Sequence, residues 1–235
     1  MTRRGLTIAV LACVAALATP ALAARPLPPS MTSYLLGPKL IQAELFVQAK
    51  GVQHDYFLDR GRLQRRYTNG QLTIVKQSGP ITVKVAPNAR VLLNGKPSSL
   101  RALRARMQIA VLHDKELSAQ QVWASSKSAP TLPAAVTTLL LGNQMVRAEI
   151  GVASADPSAP HDFLLDHGRI KQVGVSTLTL GERDGTVVTI NVSPTAHVKL
   201  NGKNATFVQL RKGMMVTTIH DGDKAADQVF ATSGK

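Results

Sequence analysis

The chain has 235 residues, with 28 Lys and Arg against 14 Asp and Glu, a formal charge of +14, and only 4% aromatic residues. So basic a balance favours anionic partners (nucleic acid, acidic envelope polymers, lipid headgroups) through long-range attraction and says nothing about fold. A single cysteine excludes an intramolecular disulfide framework, and no segment is apolar enough, at the roughly 20 residues needed, for a membrane-spanning helix.

In chain order, Arg3 and Arg4 precede an apolar run from Leu6 to Leu17 and then Thr19-Pro20-Ala21-Leu22-Ala23. This is the pattern of a cleavable secretory signal over 1–23, with cleavage near Ala23 and a secreted, periplasmic or cell-envelope destination. Cys13 could be read as a lipobox cysteine, but further apolar and small residues follow it before Ala21, which fits the core of a signal better. After cleavage no cysteine remains for a thiolate metal site or a nucleophile. A Pro-rich stretch, 24–34, comes next, then a first β module over 35–124, a Pro/Ser linker over 125–138 and a second β module over 139–235.

The division into modules rests on an internal repeat. Leu35-Leu36-Gly37 recurs as Leu140-Leu141-Gly142, and the nine residues from His54 to Arg62 recur from His161 to Arg169. Leu72-Thr73-Ile74 matches Leu178-Thr179-Leu180, Asn94-Gly95-Lys96 matches Asn201-Gly202-Lys203, and His113-Asp114 matches His220-Asp221. Apolar residues alternate within each copy: Ile41, Ala43, Leu45 and Val47 in one, Val146, Ala148, Ile150 and Val152 in the other. That alternation marks half-buried strands. Further strands are expected at 72–75, 81–85, 91–93, 107–112 and 121–124, with a short helical turn at 100–103 and at 207–210. Asn94-Gly95, Asn201-Gly202 and Asp184-Gly185 read as type I′ hairpin turns. Six to seven strands in about 90 residues give an all-β expectation: two tandem small barrels of the oligonucleotide/oligosaccharide-binding (OB) type or similar.

The second copy runs Asp166-His167-Gly168-Arg169-Ile170, Leu178-Thr179-Leu180, Asp184-Gly185, Pro194-Thr195, Asn201-Gly202-Lys203 and Gly213-Met214-Met215-Val216. It resembles a bacterial family known only as a domain of unknown function, found singly or in tandem in secreted and envelope proteins. The resemblance covers most of residues 160–232. It is weaker in the first copy, where Ser78-Gly79-Pro80 replaces the Asp-Gly turn and Arg106 stands at the place of Gly213. It implies a β fold and an envelope setting, and brings no activity or cofactor with it.

Candidate chemistry is sparse. Four of the six histidines precede an aspartate: His54-Asp55, His113-Asp114, His161-Asp162 and His220-Asp221. Imidazole and carboxylate together could hold a metal, through His54 with His113 or His161 with His220, or could form a base. Adjacent strand residues point to opposite faces, so one dipeptide cannot converge on one ion, and surface turns are the expected role. Hydrolase and phosphate-loop motifs are absent. The expectation is a non-enzymatic protein with no cofactor and no metal. Residues 35–126 hold 14 Lys/Arg against 5 Asp/Glu, +9, whereas residues 139–235 hold 10 against 9, +1. The basic excess is therefore no requirement of the scaffold. It clusters as Arg60, Arg62, Arg65 and Arg66 between Tyr56 and Tyr67, and as Arg101 and Arg104 at the helical turn. An extended strand would put Arg60, Arg62 and Arg66 on one face, beside aromatics able to stack on a phosphate-bearing polymer. An anionic envelope polymer or lipid headgroup is the expected partner; export and few aromatics weigh against nucleic acid. A merely solubilising basic surface is the bland alternative.

Overall fold

The computed structural model describes residues 26–115, 117–156 and 158–233. The expected signal segment 1–23, with Cys13, lies outside them. The described chain is mostly strand. In order come α1 (Pro29–Leu35), β1 (Leu40–Ala49), β2 (Val52–Arg66), β3 (Gln71–Lys76), β4 (Gly79–Leu93), β5 (Lys96–Ser98), β6 (Gln108–Asp114) and β7 (Ala119–Ser125). The same order returns as α2 (Ala134–Leu141), β8 (Met145–Val152), β9 (His161–Val173), β10 (Thr177–Glu182), β11 (Val187–Leu200), β12 (Lys203–Ala205), β13 (Met215–Asp221) and β14 (Ala226–Thr232). Single 3-10 turns, Leu100–Ala102 and Phe207–Gln209, sit where the helical turns were expected.

The strands form one continuous sheet with mixed pairing. Antiparallel ladders run β2–β3, β3–β4, β7–β6 and β6–β2, and β4 pairs β7 in parallel. The second half repeats this with β9, β10, β11, β14 and β13. The halves meet where β1 pairs β8 antiparallel, with Glu44 opposite Glu149. Those two residues are each other's counterparts in the repeat, so the junction has a local pseudo-two-fold axis.

Three apolar clusters follow from this pairing. Leu63, Leu72, Ile74, Ile109, Val111 and Val122 fill the first half, and Ile170, Leu178, Leu180, Val216 and Val229 fill the second. The largest is shared: Leu45 and Val47 of β1, Leu112, Trp123, Ile150, Leu165 and Ile219 gather under Leu35 of α1 and Leu140 of α2. β6 and β7 thus bury both faces, Ile109 and Val111 on one side and Ala110 and Leu112 on the other.

This double burial explains what periodicity missed. β2 is a 15-residue strand that no alternation announced. Its Leu58 belongs to the shared core and its Leu63 to the first-half core, so the buried face switches within the strand and the period-2 signal cancels. At the switch sits Gly61, where a Cβ would stand 2.3 Å from the Val75 carbonyl oxygen. The separate strands expected at 81–85 and 91–93 are one strand, β4, whose exposed Pro87 lies in the bulge where its pairing with β7 slips between Val85 and Arg90. Proline tolerates such a position because no ladder donor is needed there.

The stretch read as a linker, 125–138, is not merely flexible chain: Leu132 and Val136 are buried in the shared core and α2 begins within it. Proline at the start of α1, and just before α2, presets the φ that a helix opens with. Asn94 and Asn201 have φ of 52° and 51° and are followed by glycines at 78° and 80°, as a type I′ turn demands. Asp184 differs: only Gly185 is left-handed, at 93°, so that turn is not type I′. Gly213 has φ 93° with open space around it, while its counterpart Arg106 has φ 73°. Gly213→Ala is expected to lower stability by about 1 kcal/mol through this backbone strain, read as a lower urea midpoint at constant slope.

Candidate functional site

The structure separates the residues expected to act together. Arg60 is 5% exposed and faces the helices, and Tyr56 is half-buried, stacked on His54 at 5.3 Å between ring centres. Neither belongs to an outer basic surface. Arg104 donates through its guanidinium to the Arg101 and Leu103 carbonyls, closing its own turn, and Arg211 closes the second-half turn in the same way through Val208 and Leu210. Arg101 is exposed on that turn and Arg66 is half-buried at the end of β2. The expected sharing of one face by Arg60, Arg62 and Arg66 holds for Arg60 and Arg62, whose register along β2 is unbroken, and fails for Arg66. Arg60 is buried on that face under the helices while Arg62 is exposed, and a bulge between Leu63 and Arg65 turns Arg66 to the side of the core residue Leu72.

What remains together is smaller and better ordered. Across β2–β3–β4, Arg62 pairs with Val75, Arg65 with Thr73 and Thr73 with Thr82, while Gln71 pairs with Lys84. Thr73 and Val75 point away from the core residues Leu72 and Ile74, so Arg62, Arg65 and Lys84 share the outer face. All three are exposed. Arg65 lies over the Tyr67 ring at 4.8 Å, and the Thr73 and Thr82 hydroxyls are bonded at 3.0 Å. Thr179 and Thr189 repeat that bond at 3.1 Å. By register, Arg65 and Lys84 correspond to Gln172 and Asn191, and Arg62 to Arg169; Lys171 also reaches over this second face, above Gly181. Sequence reasoning missed Lys84, far from the arginines along the chain, although its alternation with Val83 and Val85 marks it as outward.

The His-Asp dipeptides prove to be cross-strand partners. His54 Nδ1 contacts Asp114 at 2.7 Å, and the Asp55 amide donates to the same carboxylate at 3.1 Å. His161 and the Asp162 amide treat Asp221 alike, at 3.2 and 3.1 Å. On the opposite face His113 Nε2 lies 3.5 Å from Asp59, and His220 Nε2 lies 3.6 Å from Asp166. Each histidine thus engages the aspartate of another strand, tying β2 to β6 and β9 to β13. Burial pushes Asp59 up, but hydrogen bonds with His113 and Lys76 outweigh it and hold the carboxyl below its usual range. The Asp166 carboxylate, accepting from His220, raises the imidazole above its usual value. Among the described residues, no group of three or more His, Cys, Asp or Glu side chains could hold a metal ion.

Where Lys76 meets Asp59 at 2.7 Å in the first half, the second half has Glu182 and Arg147 at 3.2 Å, with Arg147 also bonded to Asp184. The Glu182 side chain is fully buried. Burial pushes its carboxyl up to about 7, against the pull of Arg147 and with a further push from Asp166 and Asp184.

No helix among the described residues is long and apolar enough to cross a membrane. No family model matches the chain, and no curated protein matches it. Among solved structures, the crystal structure of a deletion mutant of the single-stranded DNA binding protein from Thermus aquaticus is similar at 10% identity, over 83% of this chain and 91% of that one, with a TM-score of 0.17. A likeness at that level carries no argument about fold or function.

Proposed function

We propose that this is an exported, non-enzymatic accessory protein of the cell envelope, built as two tandem OB-type barrels, whose first barrel contacts an anionic envelope polymer through the outer face of β2–β3–β4. The barrel reading is supported by the ladder that leaves β2 through β3, β4, β7 and β6 and returns to β2, with its parallel step between β4 and β7. An OB barrel binds on the face of its second and third strands, which here are β3 and β4. The tandem origin is supported by the matching registers of the two halves, and the envelope setting by the signal-like N-terminus and the family resemblance.

The observation that carries the binding proposal is the alignment of Arg62, Arg65 and Lys84 on this face, where the second half has Gln172 and Asn191 in place of the last two. Three cations in neighbouring rows suit a repeating anion. One adjacent aromatic, Tyr67, falls short of the stacking platform that single-stranded nucleic acid needs, so the sugar- or phosphate-polymer reading is the better supported.

Because the halves share a core, the test belongs in the intact chain. Arg65→Gln with Lys84→Asn is expected to lower affinity for heparin about tenfold or more and to flatten its dependence on log salt by about two contacts. Lys50→Gln with Lys96→Gln removes equal charge from the exposed β1–β2 turn and the exposed start of β5, and is expected to change little. Equal losses in the two double variants would mean that total charge, not this face, governs binding. Tighter binding to single-stranded DNA than to heparin would replace the polymer by nucleic acid.

A further inference from the structure

Arg60 lies in an unusual place for a cation. It is 5% exposed, no carboxylate among the described residues pairs with it, its Nε has no hydrogen-bond partner, and its one recorded bond is a long 3.4 Å contact from Nη2 to the Leu36 carbonyl. Burial brings the guanidinium down to about 10, so it stays charged at neutral pH. Buried charges in folded proteins are normally paired, because an uncompensated one is strongly destabilising.

The second half shows that the scaffold does not need this charge. Arg60 pairs in register with Ala110, and its counterpart His167 pairs with Thr217. His167 is equally buried, is bonded to the Thr217 hydroxyl at 2.8 Å, and is pushed by burial down to about 4, hence neutral. One half thus carries a satisfied neutral group where the other carries an unpaired cation facing alanine.

Arg60 also lines a cavity of about 470 Å³, whose walls include Leu36, Pro38, Leu132, Ala134 and Thr137. These come from the end of α1 and the start of α2. The latter helix begins at Ala134, after Pro133, with no side-chain cap. Its Val136 and Thr137 amides already bond the Pro133 carbonyl, which leaves the Ala134 and Ala135 amides as the open donors of the first turn. An uncapped helix start and an unpaired guanidinium on one largely apolar cavity are two independent features that favour an anion.

We propose that this cavity is a binding site for a small monoanionic carboxylate on an apolar body, of the size of a medium-chain fatty acid, with Arg60 clasping the carboxylate and the cavity walls covering the tail. A planar guanidinium matches a carboxylate through two parallel hydrogen bonds. A single cation suits one negative charge better than the two of a phosphate monoester. The volume falls in the range of small-molecule pockets, roughly 300–1,000 Å³. The site is distinct from the β2–β3–β4 face and stands or falls independently of it.

Calorimetric titration of the purified protein with decanoate, decanol and inorganic phosphate tests this. Decanoate is expected to bind saturably at one site per chain, with decanol and phosphate at least about tenfold weaker. Arg60→Met, which keeps the bulk and removes the charge, is expected to weaken decanoate at least about tenfold while melting no lower than the wild type without ligand. Arg60→His with Ala110→Thr, which rebuilds the arrangement of the second half, keeps the test decisive should the methionine variant misfold, and is expected to lose the same affinity. Decanoate binding retained in a folded variant, decanol binding as well as decanoate, or no saturable binding up to about 1 mM would each overturn the proposal.

Discussion

Leu45→Ala is expected to lower the stability of the whole protein by about 3 kcal/mol, and to do so for both halves at once. Leu45 is fully buried at the centre of β1, opposite Ala148 of β8 and Tyr56 of β2. Truncating a leucine at such a site removes its transfer energy and leaves a void, together worth about 2–5 kcal/mol. The void opens in the cluster that contains Trp123 and Leu112 of the first half and Leu165 and Ile219 of the second. The two halves should therefore lose stability together. Trp123, the only tryptophan, reports the first half by fluorescence, and hydrogen exchange of the β13 and β14 amides reports the second. Coincident urea transitions shifted equally are the expected result; a second half that keeps its original midpoint would show that the shared core does not couple them.

Glu182→Gln is expected to stabilise the protein at pH 8 and to leave it unchanged at pH 4. The Glu182 carboxyl is raised from 4.5 to about 7, first by burial, then by Asp166 and Asp184, with Arg147 opposing. Below the ordinary carboxylate range both folded and unfolded chains hold the proton, so the group adds no pH dependence. Between about 4.5 and 7 the unfolded chain releases it while the folded chain keeps it, and stability falls as pH rises. Above about 7 the penalty is constant. A shift of this size corresponds to about 2 to 3 kcal/mol, discounted because the Arg147 side chain opposite is 36% exposed and partly screened. Glutamine keeps the shape and never ionises. Thermal melts of the two proteins across pH 4–8 should diverge only as pH rises; parallel curves would show that Glu182 ionises freely where it lies.

Much of the local structure was legible because it rests on short-range chemistry. The two Asn-Gly turns, the 3-10 turns, the alternating residues of β1 and β8 and the mostly-β composition depend on residues a few positions apart, and each lies where the sequence reading put it. Residues matched across the repeat, such as Leu72 with Leu178 and Asn94 with Asn201, occupy equivalent positions in the two halves. Reading failed where one strand serves two environments. β2 hides its period because Leu58 and Leu63 enter different cores, and α2 hid inside a Pro/Ser stretch because its helicity follows from burial against β1 and β8.

The candidate sites divide along the same line. Residue types and charge determined by themselves that the first half is basic, that arginines crowd near Tyr56 and Tyr67, and that the scaffold tolerates their absence. Side-chain direction was decided only by the tertiary structure. A bulge of one residue sets Arg65 beside Lys84, and the switch of buried face at Gly61 leaves Arg60 under the helices while Arg62 faces water. A strand's side chains alternate with a period of two, so one slipped residue or one exchanged face reverses which of them solvent or a ligand can reach, and only the pairing of distant strands determines where that happens.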